Sequence, residues 1–114
     1  MLVNLEIIEE YANGDVDTMK EIIRLFVENT PPTLDLLEKA IAGWAWEDVV
    51  RHAHKLKSSY GIVRIGNSLE LIQGIEQAGR QQRDQEQIVT DFAEVRRMYA
   101  EAAIELDAFV AKNA

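Results

Sequence analysis

A chain of 114 residues with no cysteine, two prolines and six glycines is long enough to bury one hydrophobic core and too short for two, and it excludes disulfides, thiolate zinc sites and a cysteine nucleophile. Twelve Lys and Arg stand against twenty Asp and Glu, for a net charge of −8. That balance argues against a nucleic-acid binder, which needs a basic face to neutralise phosphates. No apolar run approaches the roughly 18 residues of a membrane span, and the start Met1-Leu2-Val3-Asn4-Leu5-Glu6 lacks the basic opening of a signal peptide. The expectation is a single domain over residues 1–114, soluble and cytoplasmic, with no nucleic-acid or membrane partner.

Helical periodicity recurs along the whole chain, and no stretch alternates apolar and polar residues as a half-buried strand does. A short first helix is predicted from Asn4 to Tyr11, ended by the turn Asn13-Gly14. Its apolar residues Leu2, Val3, Leu5, Ile7 and Ile8 cannot all point inward, so Leu5 and Ile8 are expected in an exposed patch open to a partner. Asp17 is placed to cap a second helix with Met19, Ile22, Ile23 and Phe26 inside. Thr30-Pro31 reads as a cap followed by proline at a first helical position. This opens a third helix that carries Leu34, Leu37 and Ile41 inward and stops at Gly43. A helix from Trp46 to Val63 follows, then the break Gly66-Asn67-Ser68, then a helix from Leu69 to Ala78 ended by Gly79. After the polar stretch Arg80 to Gln87, the last helix sets Ile88, Phe92, Val95, Tyr99, Ala102, Leu106 and Phe109 at bundle-seam spacing. Short connections make successive helices antiparallel. The fold class is therefore all-α, an antiparallel four-helix bundle with one or two short additional helices.

The most informative stretch lies on the helix between Trp46 and Val63. At about 100° per residue, Val49, Ala53, Leu56, Tyr60 and Val63 form one apolar stripe, and His54 falls roughly 140° from its centre, displayed to water. Lys57 lies at about 80°, Gly61 near 120° and Ser58 near 180°. His52, only about 60° from the apolar centre, belongs at the edge of the core. Between Asp48 and Glu70 there is no acid, while Arg51, Lys55, Lys57 and Arg64 all lie there. An acidic chain thus carries a basic patch around an exposed histidine, suited to an anion or an acidic partner.

A neutral imidazole is a nucleophile near neutral pH, and attack on a phosphoryl group needs positioning and a nearby cation more than further covalent chemistry. Lys57, three residues on, can supply the cation. Ser58 can donate a hydrogen bond to phosphoryl oxygens, and Gly61 leaves room for another protein. No phosphate loop or magnesium-binding carboxylate cluster accompanies the histidine, so the chain is expected to hold a phosphoryl group without an ATP site of its own.

The run Ala53-His54-Lys55-Leu56-Lys57-Ser58-Ser59 resembles the signature of histidine-containing phosphotransfer (HPt) domains, typically His-x-Leu-Lys-Gly-Ser/Ala. Leu25 to Pro32 resembles that family's second-to-third helix junction, and Ala42 to Asp48 its entry into the histidine helix. The resemblance implies that His54 accepts a phosphoryl group from a receiver-domain aspartate and passes it to another receiver, with Lys57 stabilising the phosphohistidine. It also implies that Glu76, twenty-two residues after His54, orients the imidazole through Nδ1, with Arg80 in the place where some members carry arginine. Receivers and a sensor histidine kinase are the implied partners, meeting a face that includes Val50, Arg51, Lys55, Ser58, Gly61, Arg64, Arg80, Leu5 and Ile8. No cofactor or metal is expected, and the chain is expected to be monomeric. The sequence departs from the family pattern at Ser58, Tyr60 and Arg64, the first and last of which stand where glycine is usual. Tyr60 falls on the buried stripe and reads as packing.

Three other readings compete. A helical interaction module without phosphorylation has no need of the His54–Lys57 pair. A metal or haem bundle fails because His52 and His54, two residues apart, diverge by about 160° on a helix. A hydrolase with His54 as general base lacks a nucleophile and a second oriented partner. Within the favoured class, a glutamate at position 76 also resembles the phosphotransfer domain of a chemotaxis-type kinase.

Overall fold

The computed structural model describes residues 1–114. Four long helices carry the architecture: α2 (Val16–Ala42), α3 (Trp46–Ile62), α4 (Ser68–Gln81) and α5 (Gln85–Lys112), preceded by the short α1 (Glu6–Ala12). The connections between the long helices are only a few residues each, so neighbours run antiparallel and each pools its apolar stripe with the next. The 24 buried residues of the core come from all five helices and from the flanking segments. At 28 residues, α5 is about 42 Å long by its rise per residue, close to the 43 Å long axis of the whole molecule. No helix is long and apolar enough to cross a membrane.

The largest departure from the expected boundaries is at Pro31-Pro32. Both prolines sit inside α2, which runs unbroken through Thr30 where a cap and a new helix were predicted. Proline at position 31 removes the hydrogen bond to the carbonyl of Val27. That carbonyl instead accepts a bond, at 3.4 Å, from the hydroxyl of Tyr99 on α5. Burial of Thr30, Thr33 and Leu34 in the same stretch holds the turn against the core. Tertiary packing thus carries the helix past a local break signal.

Capping residues shift in the same way. Asp15, not Asp17, caps α2, accepting a bond from the Thr18 amide. At its other end, the left-handed residue is Trp44 rather than Gly43, and the Ala45 amide reaches back to the Ala40 carbonyl at 2.9 Å. Gly79 does not end α4: the helix continues to Gln81, and Gln82 takes the left-handed conformation. Gly79 is instead a spacer, because a Cβ there would stand 3.1 Å from Val50 and 3.2 Å from Val49. It lets α3 and α4 approach closely. In α5, Met98 is buried while Tyr99 and Phe109 are half-buried at the seam's edge.

The N-terminal segment makes a contact that alternation could not reveal, since each strand is two residues long. β1 (Val3–Asn4) pairs antiparallel with β2 (Arg64–Ile65), Val3 opposite Ile65. Gly66 follows with φ 48, and a Cβ there would come within 2.9 Å of the Met98 sulfur, so both conformation and space call for glycine. The carboxylate of Glu105 on α5 accepts from the amides of Leu2 and Val3, each at 3.0 Å. Tied down in this way, α1 turns Ile8 and Ala12 inward.

Candidate functional site

The stripe of α3 is buried as its spacing predicts: Val49, Ala53, Leu56, Tyr60 and Val63 are each at most 1% exposed. This fixes the rotation of the helix and puts His54 on its outer side, where 60% of the side chain remains accessible. His52 is half-buried at the core edge. Its pKa is lowered, chiefly by burial and next by the adjacent Arg51.

Beside His54, α4 presents Glu76. Its position on the inner face of that helix leaves it 5% exposed, not the open surface pair that its four-residue spacing from Arg80 would also allow. One carboxylate oxygen, Oε2, lies 2.9 Å from the His54 Nδ1 and 2.8 Å from an Arg80 guanidinium nitrogen. The other, Oε1, lies 2.8 Å from the Lys57 ammonium. Burial alone would raise the Glu76 pKa, but hydrogen bonds from Lys57, Arg80 and His54 outweigh it and hold the carboxyl at about 2. An ionised carboxylate only accepts hydrogen bonds, so the His54 Nδ1 carries the proton. In the neutral ring the lone pair is then on Nε2, which makes no hydrogen bond within the protein. The arrangement is an exposed imidazole whose Nδ1 contacts a buried carboxylate from behind, with two cations on that same carboxylate.

His54, Lys57, Glu76 and Arg80 are therefore brought together. The wider basic patch is weaker than the sequence suggests. Arg51 is paired with Asp48 at 2.7 Å, Lys57 is engaged by Glu76, and Arg64 donates through Nε to the Gly61 carbonyl at 3.1 Å. Lys55 is exposed and makes no ion pair. Ser58 is exposed, and a Cβ added at Gly61 would meet nothing within 4 Å, so the surface ahead of the histidine is open. Val50 is half-buried against Gly79. The expected patch on α1 is not formed as predicted: Ile8 is fully enclosed and Leu5 only partly exposed, because the segment folds back over β2. Tyr11 is the large exposed apolar residue of that helix. Gly79 escaped the sequence reading as part of the site's frame. The available signal was its place three residues after Glu76, on the same helical face.

The fold matches a crystal structure of the HPT domain from the Hpt sensor hybrid histidine kinase of Shewanella, with a TM-score of 0.82 at 16% identity, covering 96% of this chain and 94% of that one. A comparison with curated protein sequences finds no match. The family model described as "Hpt domain" matches residues 21–105, which takes in all four long helices in whole or part and every member of the His54 cluster. The chain belongs to the Hpt domain family, the phosphotransfer modules of two-component signalling.

Proposed function

We propose that His54 is the phosphoacceptor, taking a phosphoryl group from the aspartate of one receiver domain and giving it to another. The observation that carries this reading is the hydrogen bond from Nδ1–H to Glu76, which leaves the Nε2 lone pair free on an exposed ring. In the step itself, that lone pair forms the N–P bond as the bond between phosphorus and the aspartyl oxygen breaks, its electron pair leaving on the carboxylate. The ring gains one positive charge, which the buried Glu76 carboxylate balances. Transfer onward is the reverse reaction on a second receiver. Lys57 offsets charge on the phosphoryl oxygens, and Ser58 donates to them. Val50, Arg51, Lys55, Gly61 and Arg64 border the histidine and form the docking face, with Leu5 at its margin. The chain acts as a phosphocarrier and depends on partner domains for phosphate.

Incubation with a phosphorylated receiver tests this. The parent should take up an acid-labile label, His54→Gln should take up none while keeping its helical content, and His52→Gln should be labelled normally. A labelled His54→Gln protein would sink the assignment.

A further inference from the structure

Seven arginines stand in a chain with twenty acidic residues, and six of them pair with a carboxylate of the chain itself. Arg64 is the exception. Its Nε donates to the Gly61 carbonyl at 3.1 Å, in the last turn of α3, and its backbone is held opposite Asn4 of β1. The two terminal nitrogens of the guanidinium make no hydrogen bond and are not buried. Capping a helix end takes one donor, which leaves the outer edge of this planar cation without a task inside the protein. Its place on the surface is informative. Gly61 comes seven residues after His54, so it returns to within about 20° of the histidine's direction, about 10 Å further along α3. Along that line the helix carries Ser58, which is exposed, and Gly61, where a Cβ would meet nothing within 4 Å. A surface seated on His54 therefore meets a low shelf that ends at the Arg64 guanidinium.

We propose that Arg64 is a specificity-determining contact for the receiver docked at His54, and that its guanidinium takes a carboxylate on the receiver's surface about 10 Å from the phosphoryl-bearing aspartate. This rests on the reading of His54 as the phosphoacceptor. With that aspartate opposite His54, a group two helical turns away belongs to the receiver's rim, outside the pocket that carries the phosphoryl group. A carboxylate fits because the two terminal nitrogens present parallel N–H groups along one edge, the geometry of a bidentate pair. The chain itself has no acid between Asp48 and Glu70 to compete for them. Anchored through Nε, Arg64 also has less freedom to lose on docking than the unpaired Lys55 beside it. A receiver with an apolar or basic group at that point of its rim leaves the guanidinium unpaired or repelled, and this sorts partners that share the same phosphorylation chemistry.

Arg64→Gln, Arg64→Lys and Arg64→Glu test the contact. For each protein, the rate of labelling by a phosphorylated receiver that labels the parent is divided by the rate of labelling by phosphoramidate, a small phosphoryl donor to imidazole that needs no docking face. The ratio cancels any change in His54 or in folding. In Arg64→Gln, the receiver concentration at half-maximal transfer should rise about tenfold, with a smaller change in the saturated rate. Arg64→Lys should recover only part of that loss, because an ammonium cannot pair bidentately. Arg64→Glu should lose more, and a receiver with one rim Asp or Glu replaced by Arg should restore its transfer while serving the parent poorly. A parent-like concentration dependence in Arg64→Gln overturns the contact. Failure of every single rim replacement to restore Arg64→Glu overturns the carboxylate as its partner. If the parent takes no label on His54 from either donor, the phosphoacceptor reading itself falls, and this inference with it.

Discussion

Acid should expose the ion cluster behind His54 as a measurable part of the stability, and Glu76→Gln isolates it. The Glu76 carboxyl titrates near 4.5 as a free group and at about 2 in the folded protein. Its folded pKa is depressed, so its stabilising contribution is present in full above the unfolded value and is lost as pH falls towards the folded one. Each unit is about 1.4 kcal/mol, so the contribution amounts to about 3 kcal/mol. That figure is a ceiling, because the Arg80 guanidinium is more than half exposed and screened by water. Glutamine keeps the shape and one acceptor but has no charge to lose. Urea denaturation followed by far-UV circular dichroism, repeated from neutral pH down to about pH 2, should show the parent ahead of the variant above about pH 4.5 and the gap closing by up to ~3 kcal/mol below it. Glu105, whose pKa is also lowered, burial being outweighed by bonds from the Leu2 and Val3 amides, contributes equally to both proteins and cancels. Parallel pH profiles for parent and variant would refute the reasoning.

Gly61→Ala should stabilise the protein by about 0.5–1 kcal/mol, since the position is helical and open and alanine loses less backbone entropy there. Thermal denaturation checks it, and a lowered midpoint would mean that Gly61 is packed in some way the structure does not reveal. Tyr60→Phe should leave stability unchanged or raise it by up to about 1 kcal/mol. The Tyr60 ring is fully buried and packs edge-on against Phe26 at 5.3 Å, but its hydroxyl has no hydrogen-bond partner. A loss well beyond 1 kcal/mol in urea denaturation would point to a hidden partner for that hydroxyl, such as an enclosed water.

The sequence by itself determined the helical class, the rotation of α3 and the exposure of His54, because helical periodicity is local: five apolar residues at repeating spacing leave one orientation that buries them all. It also placed Lys57 beside His54, three residues along the same helix. Only the tertiary structure decided the rest. The uninterrupted course of α2 through Pro31-Pro32 depends on the Tyr99 hydroxyl reaching the Val27 carbonyl from α5, 72 residues away in sequence. The inward turn of Ile8 depends on a two-residue pairing with β2 and on the hold of Glu105 over the N-terminal amides. Resemblance pointed to Glu76 as the partner of His54. Its burial, and the sharing of its two oxygens among Lys57, Arg80 and His54, follow from how closely α4 settles against α3, which the bare flank of Gly79 permits. A spacing of three or four residues along one helix is fixed by covalent geometry, whereas the distance between two helices is fixed by the side chains that meet there.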